Sequence, residues 1–375
     1  MKLLVDFILV GGVIVIAILL LLLIKSKKKQ LSQKILIVFF AFLGCVILCF
    51  YALLHDILWL FRTCFIPNDI TVLVVGPLLL LYIKSLFLKE ENLVKNALPH
   101  FIPAALYIVF IAVPTLLYGM FNIDRLSYIL SDFIYFFIRI GDLHLIFYLI
   151  ISLRLLSKYR RLMKSNYSNL TRYDFNWIRA MLQGALCVIS IDVMLKIYES
   201  FYGDFDWNAD FVSVITMVIL VSYLGYYGVN QSKVLLPDFV LEEAQFTTNK
   251  PKDNALPSFK KEEFEILKSK LELILATNRP YLDEDLTLGK LANQISTTDK
   301  KLSMLLNQYM KTTFYDLINT YRINIVKEKM QSDLYDNYSL FGIACECGFK
   351  SRTSFNRIFK KETGLSPSVY KKQFL

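Results

Sequence analysis

Two sets of residues in this 375-residue chain have types and spacings that can do chemistry. The first lies inside long apolar runs: Asp132, Tyr135, Arg139, Asp142 and His144 in one stretch, Asp192, Lys196 and Glu199 in another. Charge in hydrocarbon is costly and needs a partner or a purpose. Arg139 with Asp142 at i, i+3 and Asp192 with Lys196 at i, i+4 can pair on single helices, and Arg139 and Asp192 lie at comparable depth for a pair between helices. Two uses follow. The pairs can specify helix packing, or, helped by His55, Trp59, Tyr198 and Trp207, they can line a polar pocket for a small-molecule or lipid signal.

The second set is near the C-terminus, where Ile343-Ala344-Cys345-Glu346-Cys347-Gly348-Phe349 precedes a run carrying Ser351, Arg352, Thr353, Asn356, Arg357, Lys360 and Lys361. Small Ala344 lets one helix cross another closely, Gly348 can take the positive φ of a tight turn, and Ser351 can cap the next helix. This is helix-turn-helix chemistry, whose ligand is double-stranded DNA. Arg352 and Asn356 are of the types that make bidentate contacts to guanine and adenine edges.

Other chemistries find no support. The six cysteines form no disulfide framework, and Cys345 and Cys347 lack metal-site spacing, with the three histidines His55, His100 and His144 far from them in sequence. No nucleophile elbow, phosphate loop or kinase-like histidine box is readable, so the expectation is a non-enzyme with no metal and no cofactor.

Which elements hold these residues follows from hydropathy. The chain is 55% hydrophobic and 14% aromatic, and most of that excess lies before residue 230. A bilayer span takes about 20 apolar residues. Seven segments qualify, approximately 5–24, 35–54, 70–87, 98–117, 127–153, 178–199 and 211–229. Lysines and arginines crowd the loops after the first, third and fifth, the last with Arg154, Lys158, Arg160, Arg161, Lys164, Arg172 and Arg179. The alternate loops offer Arg62, Arg125 and then acids, so the positive-inside bias puts the N-terminus outside and the tail in the cytoplasm of an inner-membrane, multi-pass protein.

Residues 231–257 read as a linker with prolines and mixed charge. A flexible segment of that length spans about 30 Å root-mean-square. Residues 258–278 follow as an amphipathic helix with Phe264, Leu267, Leu271, Ile274 and Leu275 on one face. That face either packs on the domain that follows, the simpler use, or pairs with a second copy in a homodimer.

From Leu286 the logic of the C-terminal stretch repeats: Leu288, Leu291 and Ala292 face inward, Ser296 falls where Gly348 falls, and Thr298 caps a helix with Leu302 and Leu305 inward. Between the two units, Thr313 to Gln331 reads as a helix with Phe314, Leu317, Ile318, Tyr321, Ile325 and Met330 as inward positions. Its length of about 28 Å is close to the ~34 Å between successive major-groove faces.

These residues resemble the AraC/XylS class of bacterial transcription regulators. The likeness rests on Thr287-Leu288, Leu291-Ala292, Tyr321-Arg322-Ile323, Ile343-Ala344, Gly348-Phe349, Ser351, Ser354-Phe355, Arg357, Phe359-Lys360-Lys361, Gly364, Ser366-Pro367 and Tyr370. The order of the whole chain resembles membrane-bound members of the Bacteroidota-like kind, with a seven-span domain ahead. Two departures stand out: Ser296 replaces the usual turn glycine and Val326 the usual small alanine, and both are expected to loosen packing in the first half. The resemblance implies that the first recognition helix reads base edges through Thr297, Thr298, Lys300, Lys301, Ser303 and Met304. Charge gives the second unit the phosphates, with Lys350, Arg352, Arg357, Lys360, Lys361, Lys371 and Lys372 against Glu346 and Glu362 from residue 339 onward.

The expected fold is all-α: a seven-helix transmembrane bundle (1–230), the linker, the amphipathic helix and a cytoplasmic double helix-turn-helix domain (279–375). The expected function is a membrane-tethered one-component sensor that couples an external or intramembrane cue to transcription. A transporter or channel with a regulatory DNA-binding tail is the alternative.

Overall fold

The computed structural model describes residues 2–25, 30–88, 92–115, 117, 124–169, 175–203, 210–229, 258–335 and 337–374. Apart from a bridge between Tyr167 and Thr287, every regular element among them is helical. The chain divides into two units: residues 1–157 with 175–235, and residues 158–174 with 236–375.

The first unit contains α1 (Lys2–Lys25), α2 (Leu31–Leu54), α3 (Leu58–Phe87), α4 (Leu93–Thr115), most of α5 (Asp124–Lys164), α6 (Asn176–Tyr202) and α7 (Asp210–Val229). Six of these helices are long and apolar enough to cross a membrane. The seventh expected span corresponds to α7, whose described apolar part is the shorter Ile215–Gly228. Within the unit α1 lies against α2 and α7, α2 against α3, and α6 against α7. Large apolar side chains such as Leu3, Phe7, Leu21 and Phe110 face outward, where hydrocarbon and not water suits them.

Two helices run further than hydropathy marks. α3 begins at Leu58, not near Ile70, and passes through Pro67, whose carbonyl accepts a hydrogen bond from Thr71 Oγ1 at 2.6 Å. A proline removes one backbone donor, which is not enough to end a helix held by its neighbours. α5 continues past Leu153 to Lys164, because the Arg, Lys, Leu and Met of that stretch are good helix formers although they are not apolar throughout. α4 is irregular: Pro99 and Pro103 lack donors, and its backbone tightens to a 3₁₀ turn at Leu98–Phe101 and widens to a π turn at Ile108–Ala112. α3 and α5 meet at Gly76, where an added Cβ would lie 2.7 Å from Tyr148 Cβ.

The second unit is built on α8 (Ser258–Thr277), α9 (Leu288–Gln294), α10 (Asp299–Met304), α11 (Phe314–Met330), α12 (Leu340–Glu346), α13 (Arg352–Thr363) and α14 (Pro367–Phe374). Phe264, Leu267, Leu271 and Leu275 of α8 are buried with Leu288, Leu291, Leu302, Leu305, Phe314 and Ile318 in one core. The amphipathic helix thus spends its apolar stripe on its own domain. A second core gathers Tyr315, Ile323, Val326 and Met330 with Ile343, Ala344, Phe355 and Phe359.

α11 serves both cores, so more of its circumference is buried than one amphipathic stripe accounts for. The inward positions include Asn319 and Arg322, which a stripe of apolar residues does not mark. Val326 is fully buried and belongs to the second core, so the expected loosening of the first half has no basis at that position. Ser296 does hold the left-handed turn expected of a glycine, at φ +55°. The 231–257 linker lies outside the described residues.

Candidate nucleic-acid interface

Each helix that frames the two turns starts on a hydroxyl. Thr287, Thr298, Thr313, Ser339 and Ser351 accept hydrogen bonds from the backbone N–H groups of Lys290, Lys301, Asp316, Gly342 and Ser354. These caps satisfy donors that a helix start leaves orphaned. The caps expected at Thr298 and Ser351 are therefore present, and both hydroxyls are partly committed to holding the helices in place. Gly348 closes the second turn at φ +89°, and a Cβ there would meet Arg322 Nε and Tyr281 O, each at 2.8 Å.

In the first recognition helix, α10, Thr298 and Lys300 are exposed, while Thr297, Lys301 and Met304 are half-buried. Lys301 Nζ is ion-paired with Glu263 of α8. Ser303 points inward at 2% exposed and accepts a hydrogen bond from Asn307. The base-reading role that the resemblance implies for Ser303 meets a side chain turned to the core.

The second recognition helix, α13, buries Phe355, Ile358 and Phe359 and exposes Arg352, Thr353, Asn356, Arg357, Lys360 and Lys361 together, with Ser351 half-buried at its start. The guanidinium of Arg352 stands 5.5 Å from the centre of the Phe341 ring, Arg357 Nη2 donates to Tyr315 OH at 3.0 Å, and Lys361 pairs with Asp316 at 2.7 Å. The hydrogen bond that Lys361 donates to Asp316 leads the effects that raise its ammonium above the ordinary value. Lys350, counted with the phosphate-binding set by charge, is instead ion-paired to Asp285 at 2.6 Å and Glu284 at 3.2 Å. Its charge is spent across the domain.

Under the second turn lies Arg322, the largest fully buried side chain among the described residues. Its Nε donates to Tyr281 O at 2.7 Å and its Nη2 to Asp283 O at 2.8 Å. The remaining partners come from far upstream: Nη2 reaches Ser168 Oγ at 3.2 Å and Nη1 reaches Ser168 O at 3.4 Å. Burial pushes the guanidinium down to about 10, so it stays charged at neutral pH.

Ser168 Oγ also donates to Leu286 O at 2.8 Å, Asn319 Nδ2 donates to Ser168 O at 3.1 Å, and Leu288 N–H donates to Asn166 O at 3.0 Å. The 166–168 segment is thus bonded into the domain along its backbone. Sequence reading missed it. The available signal was the Tyr321-Arg322-Ile323 run, where an arginine between two apolar residues of a buried helix demands acceptors.

The first unit holds its own polar cluster. Lys196 Nζ lies 2.7 Å from Asp192 Oδ2 and 3.0 Å from Asp142 Oδ2, so the expected i, i+4 pair exists and Asp142 joins it from α5. These three residues line a cavity of about 410 Å³ whose walls are otherwise mostly apolar, among them Phe39, Val72 and Leu149. Asp69, also in that lining, accepts hydrogen bonds from Tyr107 OH at 3.1 Å and from Asn68 at 3.4 Å. Asp69 was not singled out from sequence. His55 pairs instead with Asp6 at 2.8 Å, and the side chains of Asp132, Tyr135 and Arg139 lie outside the described residues.

Two capped helix-turn-helix units joined by a shared helix define a DNA-binding domain. Residues 291–373 match the family described as "Helix-turn-helix domain", of the AraC type, and the C-terminal region is that domain of a transcription regulator. Comparison with curated proteins and with solved structures gives no match.

Proposed function

We propose that this chain is a membrane-tethered, sequence-specific transcription regulator that senses a signal in its helical bundle and passes it to its own DNA-binding domain. One observation carries the reading. The segment 158–174, which comprises the end of α5 and the chain leading on to α6, groups with the DNA-binding unit, and its Ser168 is hydrogen-bonded to the buried Arg322 that also holds Tyr281 and Asp283. A shift along α5 or α6 therefore has a covalent route to the residues that set one turn against the other. The positive-inside pattern supports an inner-membrane protein with its N-terminus outside and this domain in the cytoplasm. The cavity beside Asp142, Asp192 and Lys196 is the proposed place for a small-molecule or lipid signal.

The test uses the full chain in nanodiscs with DNA from its own regulatory region. Arg352→Ala is expected to weaken binding roughly 5- to 100-fold, the range for losing a base or phosphate contact. Ser168→Ala, which leaves every recognition side chain intact, is expected to change DNA affinity and abolish the response to stimulation in a reporter strain. An unchanged affinity and an unchanged response in Ser168→Ala would sink the coupling. Substrate movement in proteoliposomes would favour a transporter with a regulatory tail instead.

A further inference from the structure

The same upstream segment brings charge as well as hydrogen bonds. Lys164, the last residue of α5, places its ammonium 5.5 Å from the centre of the Tyr315 ring, and the hydroxyl of that tyrosine accepts the hydrogen bond from Arg357 of α13. Lys361, one turn on from Arg357, pairs with Asp316, the residue after Tyr315. The charged groups near Lys164 are Asp316, Lys361, Arg160 and Arg357. Among the described residues, four cations, Arg160, Lys164, Arg357 and Lys361, thus share a patch with two carboxylates, Asp316 and Glu362, the latter 4.0 Å from Lys361 Nζ.

Such a concentration of like charge raises the energy of the free protein and is relieved by an anion. Arg357 and Lys361 are exposed on α13, and Lys164 is half-buried over the Tyr315 ring whose hydroxyl Arg357 holds, so an anion at the first two also meets the charge of the third. The position of Lys164 is set by its neighbours in sequence, since Asn166 and Ser168 are bonded to Leu288, Leu286, Asn319 and Arg322.

We propose that Arg160 and Lys164 bind DNA backbone phosphate together with Arg357 and Lys361, so that the C-terminal end of α5 is part of the DNA interface itself. The proposal rests on the reading of the chain as a DNA-binding regulator. It gives the coupling a second route: when the segment moves, phosphate contacts are lost directly, whether or not the two turns shift.

The experiment measures DNA affinity against salt for the full chain in phosphatidylcholine nanodiscs. Removing one phosphate contact lowers the slope of log K against log salt by about 1 and weakens all sequences alike. Lys164→Gln is expected to do this, Arg160→Gln to act in the same direction, and Lys164→Arg to restore the wild-type slope. Hydrogen exchange at Leu286 and Leu288 is expected to stay as in the wild type in Lys164→Gln, which separates lost contact from lost docking.

A wild-type slope in Lys164→Gln would overturn the proposal while leaving the regulator reading intact. So would an effect of Lys164→Gln that appears only when anionic lipid is added, because Lys164 would then be serving headgroups. If the wild-type chain itself shows no salt-dependent DNA binding, the regulator reading falls and this proposal falls with it.

Discussion

Arg322 brings a full charge into a core whose contacts to it are carbonyls and one hydroxyl. The Tyr281 and Ser168 oxygens among them are buried, so removing the guanidinium strands several acceptors at once, and stranded buried polar groups cost more than the net value of the bonds they lost. Arg322→Ala is expected to destabilise the second unit by about 3–5 kcal/mol, the range for breaking a buried charged network. Faster hydrogen exchange from Tyr281 to Leu291 would report it; exchange unchanged from the wild type would contradict the hub.

The two turn residues give a matched pair of tests. Ser296 holds φ +55°, where an L-residue pays about 1–2 kcal/mol relative to glycine. Glycine also loses more chain entropy on folding, so Ser296→Gly is expected to stabilise by only about 1 kcal/mol. Gly348→Ala adds a collision with Arg322 and Tyr281 to the same backbone strain and is expected to destabilise by more than that.

At the scale of elements, the second unit is tied together by ion pairs, and in two of them the carboxylate, Asp316 or Asp283, titrates low. Burial works to raise Asp316, but the hydrogen bonds from Lys361 and Thr313 outweigh it and hold the group below the ordinary carboxylate value. Asp283 shows the same balance: burial works upward, and Lys290 and the Asp285 N–H prevail downward. A depressed folded value means that the stabilisation is complete above the unfolded value of about 3.9 and is lost as pH falls through the lower folded value.

Acid is therefore expected to loosen α11 against α13 below about pH 4, with little change between pH 5 and 8 from these groups. Amide exchange across that range checks both halves of the statement.

The legibility of the sequence follows the same physics. The caps at Thr298 and Ser351, the Gly348 turn and the α8 stripe are local patterns, and each was readable. What was not readable depended on tertiary partners: α3 running through Pro67, α11 turning Asn319 and Arg322 inward, Ser303 facing the core, and Lys350 spending its charge on Glu284 and Asp285. The 166–168 segment was hidden because its partners are more than a hundred residues away.

For the whole molecule, the Asp142–Lys196–Asp192 cluster has two uses, packing and signal, that predict different variants. An ammonium between two carboxylates in a membrane bundle stabilises only relative to losing one partner; replacing such a cluster entirely by apolar side chains is often neutral or stabilising. Lys196→Met alone leaves Asp142 and Asp192 facing each other and is expected to cost about 3 kcal/mol, at the low end for a buried cluster because the Lys196 side chain is 32% exposed.

The triple change Asp142→Leu, Asp192→Leu and Lys196→Met is expected to recover the thermal stability of the bundle in nanodiscs. A purely structural cluster predicts that the triple variant also recovers the reporter response. A cluster that binds or registers the signal predicts a stable, inserted protein that still binds DNA and no longer responds, and that second outcome is the one expected here. If the proposed coupling holds, the DNA affinity of the triple variant without stimulus then reports the sign of the regulation.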